Sequence, residues 1–483
     1  MPDRFKDHRT ALSDAIGDGA IAIIPAAVET VRNDDVNHPF RQDSDFHYLT
    51  GFHEPDAVCV LVPGHADGDY HLFVRPRDPE MEIWTGYRMG VEGARDRFAA
   101  DAAYEVAEFD AVLPRLMQGR DTLFYRLGNA THDAAIGRLL ETARSQHERF
   151  GTAVPLSVHD VGVVLGDQRL RKSVSEIESM RAACSLSAEG HREAMRFARP
   201  GLYEYQVQAA MEYVWREAGS PRNGYPSIVA SGPNAIVLHY IENDRLIEDG
   251  DLILIDAAAE VDMYSSDITR TFPANGRFTA PQRALYEVVL AAERAGIGAA
   301  RPGATLREVH DASTAVLADG LSALGLVPRT ADDILAMHLY RQFFMHGTSH
   351  WLGLDVHDAG AVRIGGLHRP LEAGMAFTVE PGIYVAPDRP EVEFTLLEHD
   401  LDAWTRRRIL EGTAAAREAE AAEKEAAESI SHRIPEAFLG IGIRIEDDIV
   451  ITDDGHENLT SAVPTEIDRI EALCADPSWL QRT

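Results

Sequence analysis

LILIDAAAEVDMYSSDITRTF, residues 252–272, starts as an apolar strand and ends that strand on a carboxylate, Asp256. A buried carboxylate is costly unless it is paired or bound to a cation. Eleven residues on, Asp267 sits in SSDITRTF, a second strand-like run. A hairpin turning around Asp262–Met263 brings both carboxylates to one face, where their repulsion calls for a cation between them. For a lone aspartate, a cap or turn role is the commoner explanation, so the reading depends on further acids of the same character. Two exist. Glu380 closes the apolar run of MAFTVEPGIYV, and Glu446 lies among β-branched residues in GIGIRIEDDIVIT.

RQFFMHGTSHWLGLDVHDAG (341–360) adds His346, His350 and His357, set among glycines and bulky apolar residues. Histidines in such a stretch are more often satisfied core residues than ligands. Beside four carboxylates, one imidazole completes a hard, oxygen-rich set with room for two divalent ions. One nitrogen among oxygens suits manganese or cobalt better than structural zinc, which favours sulfur and nitrogen. Two ions about 3.5 Å apart activate a shared water and polarise a carbonyl, so the residues alone point to metal-dependent hydrolysis.

Around this core the chain reads as two domains. At 483 residues it exceeds one ordinary core, and its 45% hydrophobic and 26% charged content is globular. Residues 1–170 predict an α/β domain with a mixed sheet. IAIIP (21–25), DAVCVLVP (56–63) and YHLFVRP (70–76) read as strands, and 106–117 and 132–150 have helical spacing. In RLRKSVSEIESMR (169–181), Ser173 or Ser175 caps a long helix with Glu176 and Glu178 in its first turns. Residues 171–483 carry a repeat. Arg199-Pro200-Gly201 and Arg301-Pro302-Gly303 each follow one helical segment and precede another, with Val207 matching Val309. The order of elements predicts a duplicated α+β domain. Within it, residues 388–436 read as a helical insertion, whose stretch 400–430 is Ala/Glu/Arg-rich and polar nearly all round. A solvated helical arm is the first reading; a lid or an oligomer contact ranks behind it.

The net charge of −32 argues against nucleic acid and anionic membranes as partners. No window reaches the roughly 18 apolar residues of a membrane span. The N-terminus lacks a signal-peptide core. Cys59, Cys184 and Cys474 are odd in number and form no CxxC, which predicts a reducing cytoplasm.

The second half resembles the pita-bread metallopeptidases, and among them the Xaa-Pro aminopeptidases. The resemblance runs through VLHYIEN (237–243), residues 255–279, MHGTSHWLGLDVHDAG (345–360), EAGMAFTVEPGIY (372–384) and residues 440–452. FRQDSDFHYLTGFHEPDAV (40–58) and EIWTG (82–86) extend it into the first half. It implies a catalytic pita-bread domain with an antiparallel sheet, behind an N-terminal domain serving substrate access and oligomerisation. The implied ligands are Asp256, Asp267, His350, Glu380 and Glu446, with Asp267 and Glu446 bridging two ions, manganese first and cobalt or zinc as alternatives. Glu380 is implied as general base, and His357 and His346 as stabilisers of the oxyanion. His239, Tyr384 and Arg444 are implied in substrate contact or ligand support. Trp84 is implied to reach a neighbouring subunit of a homodimer or homotetramer. The implied substrates are peptides with proline in second position. Two departures stand out: no arginine between His357 and Glu380 aligns clearly, leaving Arg363 or Arg369 as substitutes, and the 388–436 insertion widens the gap between the two glutamates. Competing readings are a prolidase limited to Xaa-Pro dipeptides and a metal-free peptide-binding module.

Overall fold

The computed structural model describes residues 2–398 and 401–481. It divides into two units, Met1–Arg169 and Leu170–Thr483.

In the first unit a six-stranded mixed sheet is built outward from Ala20–Pro25. This strand pairs antiparallel with Val58–Leu61 and parallel with Thr122–Phe124. Tyr70–Val74 and Ala102–Glu105 extend one side, and Ser157–His159 the other. Ile21, Ile23, Val60, Phe73 and Leu123 are buried with Leu113 and Leu116 of the helix Phe109–Leu116. The RQDSDF motif has a local explanation. Gln42 accepts from Ala27 N–H at 2.8 Å and donates to the carbonyls of Phe52 and Glu54, while Asp43 caps Ser44–Thr50. Trp84 stands on the helix Pro79–Thr85 and is 83% exposed.

In the second unit, Ser173 and Glu176 form a capping box at the head of Val174–Phe197. The tripeptide repeat marks two helix pairs: Val174–Phe197 with Glu204–Glu217, and Ala280–Ala299 with Leu306–Ala323. Both turns use a left-handed glycine, Gly201 at φ +90° and Gly303 at φ +83°. Each long helix also carries a glycine where its neighbour crowds in. A Cβ on Gly190 would meet Trp215 Nε1 at 2.2 Å, and one on Gly296 would meet Ser313 Oγ at 2.4 Å.

Each helix pair is followed by a sheet. The first orders Ile228–Ser231, Leu252–Asp256 and Thr269–Pro273, all antiparallel, with Asp256 opposite Thr269. The link between the last two strands is a hairpin, Glu260–Val261 to Tyr264–Ser265, whose turn residues Asp262 and Met263 both have positive φ. The second sheet contains Ala376–Val379, Asp447–Ile451 and His456–Asn458, and the pair Gly382–Tyr384 with Gly442–Arg444 lies alongside in sequence. Buried Arg270 ties the two halves: it donates to Asp447 at 2.5 Å and to the carbonyls of Glu446 and Val463. Met195, Met211, Trp215, Ile253, Ile255 and Phe272 fill the interior between helices and sheet.

The insertion is not helical throughout. Glu391–Leu396 and Glu428–Arg433 form an antiparallel ribbon, and the helices Leu401–Glu411 and Thr413–Ala426 turn at Gly412, φ +88°. His399 and Asp400 of this segment lie outside the described residues. The helices occupy the Ala/Glu/Arg-rich stretch, and the ribbon at the base of the insertion is anchored by Phe394, which is fully buried. Among the described residues no helix is long and apolar enough to cross a membrane.

Candidate metal centre

The carboxylates singled out in the sequence sit at strand ends, where apolar strands leave the core and open on a cleft. Asp256 ends Leu252–Asp256, and Asp267 precedes Thr269–Pro273 by two residues. Glu380 directly follows Ala376–Val379, and Glu446 lies between Gly442–Arg444 and Asp447–Ile451. Asp267 and Glu446 are therefore not inside strands, as their β-branched surroundings suggested. All four line one cavity of about 610 Å³, with His239, His346, His350, His357 and Arg444. Leu238, Ile241 and Val356 supply part of its apolar wall. Neither Arg363 nor Arg369 lines this cavity.

The HGTSHW segment reaches the site because it pairs with Ala376–Val379. Trp351 bridges Phe377, Glu380 N–H donates to the Thr348 carbonyl at 2.8 Å, and Thr378 N–H donates to the His350 carbonyl at 3.0 Å. His350 Nδ1 lies 3.0 Å from the Trp351 carbonyl, which puts the ring proton there and aims Nε2 into the cavity. Nε2 is 3.4 Å from Asp267 Oδ2 and 3.6 Å from Glu380 Oε1. Ligand atoms of Asp267, His350 and Glu446 lie within 4.8 Å of one another.

A hydrogen-bond chain supports the carboxylates from behind. Arg444 donates to Asp256, to Thr269 Oγ1 at 3.0 Å and to the Tyr384 hydroxyl at 2.9 Å. Thr269 Oγ1 donates to Glu446 Oε2 at 2.7 Å. His346 Nδ1–H donates to the Gly347 carbonyl at 2.8 Å, so Nε2 accepts from the hydroxyl of Tyr384, a buried residue off the cavity surface, at 2.8 Å. Nδ1 is also 3.5 Å from Glu380 Oε2. Tyr225 was not singled out in the sequence, yet its hydroxyl lies 2.7 Å from Asp256 and 2.6 Å from Asp267. The only local signal was a tyrosine before proline in NGYPSIVAS, a turn leading into an apolar strand. His310, also unmarked, holds Thr348 Oγ1 at 2.7 Å from the neighbouring helix.

The electrostatics are those of a site short of positive charge. Burial, reinforced by Asp267 and Glu380, holds the Glu446 carboxyl well above the usual range. Burial also raises Asp256, against the pull of Arg444. Glu380 is pushed up to about 7 by burial, with His350 and Arg444 opposing. Burial alone would lower His350, but the hydrogen bond and charge of Asp267 and the charge of Glu380 raise it to about 9. Burial and Arg444 lower His346 to about 3, which keeps it neutral. Among the described residues lining the cavity, Arg444 is the one guanidinium beside four carboxylates, of which Asp267 and Glu446 are buried and Asp256 and Glu380 partly so. This donor set fits hard divalent cations: mostly oxygen, one imidazole nitrogen, and second partners that orient each ligand.

Comparison with known proteins agrees with this chemistry. The model of metallopeptidase family M24 matches residues 178–453, and that of the aminopeptidase P N-terminal domain matches residues 5–125. The chain is 38% identical over 471 residues to the Xaa-Pro aminopeptidase of Escherichia coli K12, covering 97% of each protein. It is 33% identical to human Xaa-Pro aminopeptidase 3, covering 92% of this chain and 79% of that one. Among solved structures it matches Pseudomonas aeruginosa aminopeptidase PepP with a TM-score of 0.88 at 44% identity, covering 98% of both chains. Zinc-substituted E. coli aminopeptidase P in complex with product matches at 0.86 and 38%, again covering 98% of both. The chain belongs to metallopeptidase family M24, among its Xaa-Pro aminopeptidases.

Proposed function

We propose that this protein releases the N-terminal residue from peptides with proline in second position, using two divalent ions, manganese being the resident metal. The observation that carries the reading is the convergence of Asp256, Asp267, His350, Glu380 and Glu446 on one cavity flanked by three further imidazoles. Those five residues would hold the ions, and Asp267 and Glu446, whose ligand atoms lie within 4.8 Å of one another and of His350, would be shared between them. When bound, the ions lower the pKa of a shared water and polarise the scissile carbonyl.

The chain's own groups do the rest. Glu380, which faces the same cavity, takes the proton of the attacking water and delivers it to the departing proline nitrogen. His357 donates to the carbonyl oxygen as it gains charge, while His346, its Nδ1–H bonded to the Gly347 carbonyl and its Nε2 to the Tyr384 hydroxyl, borders the site with no free donor. An Xaa-Pro bond offers no amide N–H, so an enzyme must work from the carbonyl side. His239, Leu238 and Ile241 form the wall that seats the pyrrolidine ring. The free cysteines suit a reducing cytoplasm. The exposed Trp84 suits a homo-oligomer in which it completes a neighbour's site.

The test is hydrolysis of Arg-Pro-Pro and of Xaa-Pro dipeptides by manganese-loaded protein. Cleavage of the tripeptide at its first bond supports the reading. Turnover of dipeptides alone replaces it with a prolidase, and a chain that takes up no manganese, cobalt or zinc is a metal-free module.

A further inference from the structure

We propose that the buried ion pair Lys172–Asp358 is a positioning device for His357, an inference that rests on the catalytic role of His357 proposed above. Lys172 Nζ donates to Asp358 Oδ2 at 2.9 Å, and each side chain is only 1% exposed. Lys172 is itself stitched in place: its N–H donates to the Gly374 carbonyl, and its neighbour Arg171 bridges Met375. Gly374 has φ +85°, and a Cβ there would meet the Lys172 carbonyl oxygen at 2.7 Å. The lysine therefore reports the position of the strand that carries Glu380.

Asp358 directly follows His357 and closes the loop 351–358. Its N–H donates to the Trp351 carbonyl at 2.9 Å, and its Oδ1 accepts from Asp355 N–H at 3.4 Å. The pair lies flat on Gly353, where a Cβ would meet Asp358 Oδ2 at 2.3 Å and Lys172 Cε at 3.0 Å. Gly353 in turn accepts from Ser265 N–H at 2.9 Å, two residues before Asp267. His357 has no hydrogen bond to its ring among the described residues; it stands edge-on to His350 with centroids 4.3 Å apart. An imidazole with so little to hold it depends on its backbone, and the backbone is fixed through Asp358. A buried ion pair is a weak stabiliser relative to an apolar pair of similar volume, so a purely structural role is replaceable. A charge-anchored geometry is not.

The experiment compares wild type, Lys172→Met and Lys172→Met/Asp358→Leu, each with and without His357→Ala, as manganese-loaded enzyme on Arg-Pro-Pro. Expected for Lys172→Met is a fall in kcat on the order of tenfold to a hundredfold with KM and metal content held. Lys172→Met alone removes the positive charge beside a buried carboxylate and lowers Tm; the double variant restores Tm while kcat stays low. In the His357→Ala background either change has little further effect, because the group they position is gone. Wild-type kcat in the double variant, or an equal loss with and without His357, overturns the proposal. In the zinc-loaded proteins, which are diamagnetic, the His357 ring proton resonance, shifted by the edge-on His350 ring and identified by its absence in His357→Ala, gives a readout independent of turnover. It moves in the double variant if the pair positions the ring. If wild type cleaves no peptide, the functional reading fails, and this resonance still decides the positioning question.

Discussion

Glu380 and His357 face the same cavity from different supports, and their removal has different consequences. On the proposed roles, Glu380→Ala deletes a base and a ligand together, so turnover should be abolished and metal per chain should fall, both measured on dialysed protein. His357→Ala removes one donor to the oxyanion, and kcat falls roughly 10²–10³-fold with metal content unchanged. Loss of metal in the second variant would make His357 a ligand instead. Elsewhere, His47 is 5% exposed with neither ring nitrogen bonded, and burial followed by repulsion from His53 lowers it to about 3. The folded chain keeps it neutral where the unfolded chain, titrating near 6.5, binds a proton. Its contribution is therefore complete above pH 6.5 and declines as pH falls toward 3. From pH 7 to 5, His47→Phe gains about 2 kcal/mol on wild type, read by urea unfolding at both pH values. An equal difference at the two pH values would refute this.

At the scale of elements, the cleft exists because apolar strands end in acids at their cleft-facing ends. The sequence marked each acid by its apolar run, and the Asp262–Met263 turn by its position between two strand-like runs. It did not mark that Asp267 and Glu446 leave their strands, since β-branched neighbours look alike on either side of a strand end. The arm is the opposite case. Composition revealed its helices, but the ribbon Glu391–Leu396 with Glu428–Arg433 depends on a pairing partner more than thirty residues away. Its helices are largely exposed apart from residues such as buried Ala416. Replacing residues 398–427 by a short turn should leave metal content intact and kcat/KM for Arg-Pro-Pro within about threefold, the scale of surface changes. A drop beyond tenfold would give the arm a part in the reaction.

Across the whole molecule, association is the expected state. Sedimentation should give a multiple of the 53.2 kDa chain, and Trp84→Ala should lower turnover while the metal stays bound. A fully active monomer would remove Trp84 from the site. The two-unit organisation was legible from the change at residues 169–173, where a basic link meets a capped helix. So was the duplication, through two Arg-Pro-Gly turns. What the sequence determined by itself was the chemistry: which side chains are acids at the ends of apolar runs, which imidazoles accompany them, and where helices start and turn. These are local properties of spacing and type. Only the tertiary structure decided the hydrogen bonds of Tyr225 to two carboxylates 31 and 42 residues away, the chain from Arg444 through Thr269 to Glu446, and the anchoring of Asp358 by Lys172 across 186 residues. Such partners share no period or motif. They meet because separate strands, each placed by its own apolar face, bring their polar ends to one cleft.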